Sequence, residues 1–540
     1  NLSKQKYVNN CKDNVKLGEK PIDILKSHFG FDRFRPYQED VCKTVLNKRD
    51  TLLVMPTGAG KSLCYQLPGL GLGGTTLVIS PLIALIEDQV SKLQAMGLKA
   101  DRIHSGRDRE SSRGICRRYL TGDLEFLFVA PERLGLPGFL EILAKRKPTL
   151  VAVDEAHCIS QWGHDFRPDY RMLSDRLKYL RPATIMALTA TATPMVQKDI
   201  IEQLALEKPS LHIHGFRRSN ICIEAVVMGA GSRIEAAGNY LSKPENRPAI
   251  IYSPTRRETE ACAESLAGSF SIRAYHAGLS NQERAEVQQD FLGGSVDVIA
   301  ATVAFGMGVD KADVRSVIHL ALPGSVEAYY QEIGRAGRDG KPSRAVLFHS
   351  FADYRHHEFF FEKSYPKPEE LKRLWDSIPD NGLARGHFSS GSGELDLDNA
   401  FEKLWIHGAI AIEGEDVILK KQGDWQKKYI TQRDHRRSQM HLMGLYAKST
   451  AECRMVRLVK HFGDDDDGFA HCGICDICTP KDSFFVSGRP PTDDEVVELR
   501  ELLGHLLVLP RSQSLGKCYR EVFEVKGIPR ERFDRYVGGL

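Results

Sequence analysis

Two successive series of short apolar runs, separated by helix-length amphipathic stretches, dominate the first 350 residues. The first series is TLLVM (51–55), TLVIS (76–80), EFLFVA (125–130), TLVAV (149–153) and TIMALTA (184–190). The second is AIIYS (249–253), DVIAA (297–301), SVIHLAL (316–322) and RAVLF (344–348). Apolar runs that do not alternate with polar residues suit parallel strands buried on both faces, with crossover helices between them. The pattern predicts an α/β chain with two tandem lobes, each built on a mostly parallel sheet.

Beyond residue 350 the pattern changes. ELKRLWDSI (370–378) and LDNAFEKLWIHG (397–408) have helical spacing, and AIAIEGEDVILK (409–420) reads as a hairpin turning near Glu413–Glu415. Helices followed by a hairpin predict a winged-helix-like insert, with a packing appendage as the alternative. Further on, Thr492 is placed to cap a helix through Leu507. The expected organisation is an N-terminal extension (1–20), a first lobe (21–216), a second lobe (217–350) and the insert (351–430). A helical, cysteine-bearing module (431–482) and a C-terminal helical segment (483–540) complete it.

Composition narrows the class. A chain of 540 residues, 42% hydrophobic and 27% charged, is ordinarily globular and too long for one core. No run of 18 apolar residues occurs, so no membrane span is expected. No charged-then-apolar leader opens the chain, so no signal peptide is expected; the start at Asn1 and the close at Leu540 suggest an excerpt of a longer protein. Net charge is only +3, but residues 431–460 hold five Arg and two Lys against one Asp and one Glu. Eight of the twelve cysteines are scattered singly, as expected of reduced thiols in a reducing compartment.

The chemistry concentrates in three places. VMPTGAGKS (54–62) follows a strand and reads as a phosphate-binding loop. Backbone N–H groups at Thr57, Gly58, Ala59 and Gly60 would cradle phosphates, Lys61 would reach the β- and γ-phosphates, and Ser62 would ligate Mg²⁺. Met55 stands where the formal pattern has its first glycine; a plain glycine-rich turn is the alternative. VAVDEAH (151–157) ends another strand, with Asp154 expected to hold the magnesium and Glu155 to deprotonate the attacking water. Arg335 and Arg338, on one face if helical, are suited to complete the site from the second lobe. The remaining cysteines, Cys453, Cys472, Cys475 and Cys478, have the spacing of a tetrahedral, all-thiolate structural zinc site; a redox dithiol and an iron–sulfur cluster are the alternatives. His461 and His471 are nearby substitutes. Asp464–Asp467 is expected to be a solvated loop.

Nine stretches in order carry a family resemblance. They are FGFDRFRPYQEDV (29–41), MPTGAGKSLCYQLP (55–68), SPLIALIEDQV (80–90), APERL (130–134), VDEAHCISQWGHDFRPDY (153–170), ALTATAT (187–193), AYHAGL (274–279), ATVAFGMGVDK (301–311) and YYQEIGRAGRDG (329–340). Over roughly 21–350 and 431–480 the chain resembles RecQ-family DNA helicases of superfamily two. The resemblance implies two RecA-like lobes, ATP as the nucleotide, and single-stranded and forked duplex DNA as partner. It implies that Gln38 reads the adenine edge with Phe31 and Arg35 flanking the base. Trp162, Phe166 and Arg167 would sense single-stranded DNA, with His157 and His164 relaying to the ATPase. Thr189, Ala190 and Thr191 would link the lobes, and Thr302, Gly306, Gly308 and Asp310 would face DNA and ATP.

The expected activity is ATP-dependent unwinding with 3′→5′ polarity, in replication, recombination or repair. Two rivals stand beside it: an RNA helicase of the DEAD/DEAH type, and a module whose ATP cycle switches DNA affinity without unwinding. A monomer, in a bacterial cytoplasm (nucleoid-associated) or in a nucleus if the source is eukaryotic, is the expected setting. The insert departs from a compact arrangement of the family's parts, and no strand-separating wing is evident after Cys478.

Overall fold

Continuous apolar runs become two all-parallel sheets because alternate residues of each strand enter different cores. In the first lobe Leu52, Val54, Leu77, Ile79, Val151 and Val153 face one side. Leu53, Met55, Val78, Ala152, Met186 and Leu188 face the other. The computed structural model describes residues 20–160, 162–163, 167, 170, 172–306, 311–379, 382–384, 395–413, 417–421, 423–464, 467–485, 492–508, 515–530, 532–533 and 536.

The first sheet has seven strands in the order Ala100–Ile103, Phe126–Val129, Thr76–Ile79, Leu150–Val153, Thr184–Thr189, Thr51–Val54 and Ser210–Ile213. The second has six: Ile272–Tyr275, Val298–Ala301, Ala249–Tyr252, Ser316–His319, Ser343–His349 and Ile221–Val227. Every pairing in both sheets is parallel. The phosphate loop follows the strand Thr51–Val54, and the DEAH residues follow Leu150–Val153; one strand, Thr184–Thr189, lies between them. That order brings both motifs to the same carboxyl edge, where ligands of such sheets bind.

The expected insert is present as a helix Pro368–Asp376, a two-residue strand Leu383–Ala384, a helix Leu397–Ile406 and the hairpin Ile410–Glu413/Val417–Lys420. Its three strands form an antiparallel sheet over a core of Leu371, Phe401, Leu404, Ile410, Ile418, Trp425 and Tyr429. Residues 414–416, where the hairpin turns, lie outside the described residues. The 430/431 boundary expected from composition does not hold. A single helix, Trp425–Lys448, begins in the insert's core with Trp425 and Tyr429 and ends in the core of the cysteine module with Met443 and Tyr446.

The cysteine module lies against the outer strand of the second sheet. The Ile223 carbonyl accepts from the Asp476 amide at 3.0 Å, and the Ala225 amide donates to the Asp476 carboxylate at 2.9 Å. Just beyond, the fully buried Glu224 carboxylate accepts from the Ser483 hydroxyl and the amides of Phe484 and Phe485. Thr492 caps the helix Asp493–Val508 as expected, in a reciprocal pairing with Glu495. Among the described residues no helix is long and apolar enough to cross a membrane.

The helix Phe351–Ser364 is tied to the second lobe by a buried ion pair, Arg233–Asp353 at 3.0 Å. Arg233 also donates to the carbonyls of Met228 and Leu320. Asp353→Ala strands a buried guanidinium and is expected to cost about 3–5 kcal/mol in urea unfolding. Asp88→Ala, which removes a half-exposed partner of Lys92, is expected to cost at most about 1 kcal/mol.

Candidate active site

The phosphate loop keeps its backbone shape without the first glycine. Met55 is buried in the lobe's core, and only its carbonyl takes part, accepting from Lys61 Nζ at 2.9 Å. The glycines that matter are Gly58 and Gly60, with φ of +85° and +86°. A Cβ on Gly60 would lie 2.4 Å from Gln38 Nε2, and one on Gly58 would lie 3.3 Å from Arg338 Cγ. A side chain at Gly60 would collide with the Gln38 amide, and one at Gly58 would crowd Arg338 of the other lobe.

Gln38 is buried and its amide is fully engaged. Nε2 donates to the carbonyls of Ala59 (3.2 Å) and Gly60 (3.1 Å), and Oε1 accepts from the Arg35 amide at 2.9 Å. Arg35 itself donates to the Gly58 carbonyl at 2.6 Å. Both residues therefore brace the phosphate loop. Phe31 is about half exposed, at 53%. Tyr37, which the motif reading passed over, stacks on His214 with centroids 4.4 Å apart and planes 9° apart.

Asp154 and Glu155 end their strand beside Lys61. Glu155 has φ +47°, a strained conformation for a residue with a Cβ, and its amide donates to Asp154 Oδ1 at 2.9 Å. Burial and the neighbouring Glu155 push Asp154 up to about 7, against the pull of Lys61. Burial pushes Lys61 down, opposed by Glu155 and Asp154. Two partly buried acids side by side are a fitting donor set for a divalent cation, and Asp154 and Ser62 are the residues that would hold Mg²⁺. Glu155 pairs with His157 at 3.3 Å. His157 Nδ1 in turn meets the Thr189 hydroxyl at 2.9 Å, and Thr189 bonds Thr191. His157 thus links Glu155 to the TAT element by a chain of contacts, a link not expected from the sequence; the expected relay from the aromatic loop through His164 lies outside the described residues.

The two arginines behave differently from expectation. The helix Val326–Ile333 ends before either of them, so they do not share a helical face. Arg335 is buried and donates to the Gly306 carbonyl within its own lobe. Only Arg338 is placed over the phosphate loop, at Gly58, close enough to depress Lys61 further.

Trp162 and Arg167 are anchored differently again. The Trp162 carbonyl faces His435 Nε2 at 3.1 Å and accepts from Gln439 Nε2 at 3.3 Å, both on the helix Trp425–Lys448. The rings of Trp162 and His435 meet edge to face at 5.3 Å. Arg167 donates to the Pro81 carbonyl at 3.2 Å, and the Tyr170 hydroxyl donates to the Asp154 carbonyl at 2.9 Å. The loop therefore touches both the ATPase strand and the basic helix. Phe166 and His164 lie outside the described residues, as do Gly308 and Asp310. Thr302 follows the strand Val298–Ala301, its amide bonded to the Tyr275 carbonyl at 3.1 Å.

The four cysteine sulfurs of residues 453, 472, 475 and 478 all lie within 4.8 Å of one another. Cys453–Cys475 and Cys472–Cys478 are 4.0 and 3.9 Å apart. Zinc–thiolate bonds of about 2.3 Å in a tetrahedron require sulfur separations of about 3.8 Å, so the set fits structural zinc. Hydrogen bonds from Cys472 and Cys475 pull the Cys453 thiol far below its ordinary range. His461 is no substitute ligand, since it pairs with Glu327 at 2.8 Å. The acidic run is not a solvated loop at its described ends. Asp464 is buried, and Asp464 and Asp467 accept from the amides of Phe216 and Arg217 where the lobes join. Asp465 and Asp466 lie outside the described residues.

Comparison with known proteins follows these units. Residues 35–200 match the DEAD/DEAH box helicase domain, 232–340 the helicase conserved C-terminal domain and 416–479 the RecQ zinc-binding domain. The chain is 45% identical over 342 residues to the ATP-dependent DNA helicase RecQ of Haemophilus influenzae, covering 63% of this chain and 55% of that protein. It is 42% identical over 362 residues to the ATP-dependent DNA helicase RecQ of Pasteurella multocida, covering 67% and 57%. To the probable ATP-dependent DNA helicase RecS of Bacillus subtilis it is 42% identical over 471 residues, covering 83% and 91%. The chain thus spans little more than half the length of the first two and nearly all of the third. Among solved structures, the DUF1998 helicase MrfA bound to DNA and AMPPNP aligns with a TM-score of 0.52 at 21% identity, covering 76% of this chain and 62% of that one. That is a likeness of fold.

Gly60→Ala is expected to strain the loop by about 1–3 kcal/mol and to drive Gln38 off its carbonyls. A fluorescent-nucleotide titration should show ATP affinity lowered by about ten- to a hundredfold.

Proposed function

Because the chain belongs to the RecQ family of superfamily-two DNA helicases, we propose that it is an ATP-dependent DNA helicase that translocates 3′→5′ on single-stranded DNA. The observation that carries the ATPase part is Arg338 of one lobe lying over Gly58 of the other, beside Lys61, Asp154 and Glu155. ATP fills the cleft between the lobes. Lys61 and Arg338 hold the γ-phosphate charge, and Glu155 accepts the proton of the attacking water, releasing ADP and phosphate. Mg²⁺, when bound, would supply further charge neutralisation, and Ser62 and Asp154 would hold it. Arg335 supports this from behind, through Gly306.

DNA reaches the ATPase through the Trp162 loop. The loop is bonded to the basic helix on one side and continues into Tyr170, whose hydroxyl holds the Asp154 carbonyl, on the other. Movement of Trp162 by a bound base therefore has a short path to the magnesium-binding strand end. The helix Trp425–Lys448 carries Lys427, Lys428 and Arg436 as cations for phosphates, while Arg433 and Arg437 pair with Glu362 and Glu358, and binding is expected to weaken with salt. Forked duplex is the expected substrate in repair or recombination, with a monomer sufficient.

A second reading is an ATP-driven switch that grips DNA without separating strands. It is favoured by the insert, whose helix Leu397–Ile406 exposes Asp398 and Glu402, acids that repel the backbone a pin must approach. Strand displacement on 3′- and 5′-tailed duplexes separates the two. Unwinding of the 3′-tailed duplex alone is expected; ATP consumption with neither duplex unwound would favour the switch. Lys61→Ala is expected to abolish hydrolysis on either reading. Trp162→Ala is expected to leave DNA-free hydrolysis within about twofold while removing most of the stimulation by DNA.

A further inference from the structure

Residues 216–220, FRRSN, join the two lobes, and the neighbouring units hold this junction from two sides. On one side is the zinc module. The Phe216 amide donates to Asp464 Oδ2 at 3.3 Å, and the Phe216 ring stacks on Phe462 with centroids 4.5 Å apart. The Arg217 amide donates to Asp467 Oδ2 at 2.8 Å, and its guanidinium donates to the carbonyls of Asp467 (3.2 Å) and Gly468 (3.1 Å). On the other side is the loop that carries the arginines. Arg218 donates to the carbonyls of Gly334 (3.1 Å), Ala336 (2.9 Å) and Gly337 (3.2 Å). Asn220 Nδ2 donates to the carbonyls of Gly337 (2.8 Å) and Lys341 (2.9 Å).

These five bonds matter because the 334–341 segment has left its helix: the Gly337 carbonyl also accepts from the Gly340 amide, but the carbonyls of Gly334 and Ala336 look to Arg218. Gly337 has φ +57°, and a Cβ there would lie 2.3 Å from Asn220 Nδ2, so the loop and the asparagine are fitted to each other. Arg218 is half-buried, and among the described residues its bonds are to carbonyls and not to a carboxylate.

We propose that Arg218 and Asn220 are positioning residues for Arg338, holding the 334–341 loop in the shape that lays Arg338 over the phosphate loop. The zinc module then acts on hydrolysis through Asp464 and Asp467, which fix the junction from which both residues project. The proposal rests on the ATPase reading above, with Arg338 as the arginine that completes the site.

The test is a double-mutant cycle on DNA-stimulated ATP hydrolysis in the full chain. Arg218→Ala and Asn220→Ala are expected to lower kcat by about tenfold or more while KM for ATP stays within about twofold. On an Arg338→Ala background the same changes are expected to lower the residual kcat by less than about twofold, because residues that act through one group are not additive. Asp464→Ala with Asp467→Ala is expected to lower kcat with zinc content unchanged. The corresponding pair of Asn substitutions should restore it, because an amide oxygen still accepts from a backbone N–H. If Arg218→Ala fails to fold, Asn220→Ala and the aspartate variants carry the same test. An equal fold-loss on the Arg338→Ala background, or a rise in KM at parental kcat, would overturn the proposal. A parent that hydrolyses no ATP with DNA would overturn the ATPase reading and this proposal with it; an active parent with indifferent variants would overturn this proposal alone.

Discussion

Arg338 of the second lobe packs against Gly58 of the phosphate loop in the first, so closely that a Cβ there would lie 3.3 Å from its Cγ. Each sheet is complete in itself, with its own strands and cores, and on the proposed reading the charges for phosphoryl transfer are divided between the two lobes. Lys61, Asp154 and Glu155 belong to the first lobe and Arg338 to the second. Hydrolysis by such a divided site is coupled to lobe geometry by construction, since an arginine carried a few ångströms away no longer meets the phosphate.

The zinc module is the third body at this junction. Its helix Arg454–Phe462 lies between the lobes' parts: the Phe462 carbonyl accepts from Gln197 of the first lobe at 3.2 Å, and His461 pairs with Glu327 of the second. Phe462 also stacks on Phe216 of the connecting segment. A zinc ion that fixes Cys453, at the start of this helix, to the 472–478 turn therefore fixes more than a local fold. The long helix Trp425–Lys448 extends the same body to the Trp162 loop, so the element expected to feel DNA is hydrogen-bonded to the body that holds the lobes.

How much of this was legible follows from burial. The nine strands read from the sequence are interior to their sheets, and their central side chains are mostly apolar. The four strands that went unread, Ala100–Ile103, Ser210–Ile213, Ile272–Tyr275 and Ile221–Val227, are the four sheet edges. An edge strand is covered on fewer sides and admits Asp101, His212, Arg273 and Glu224, which break the apolar signal. The phosphate loop, the DEAH strand end and the four cysteines were legible because their chemistry demands particular residues at particular spacings. Arg335 and Arg338 were legible as a pair but not in their division of labour, which depends on where the helix stops. Asp464 and FRRSN carried no signal of their own. A run of four aspartates looks solvated until two distant backbone amides are brought to its ends, and only the fold does that.

The most direct test of the account is single-turnover ATP hydrolysis by Arg338→Ala with saturating single-stranded DNA, alongside ATP binding by the same protein. If Arg338 completes the site across the cleft, the rate falls by about a thousandfold or more while ATP affinity changes little. A rate near the parent's would mean that the first lobe hydrolyses ATP unaided, and the account of a site divided between two lobes would be contradicted.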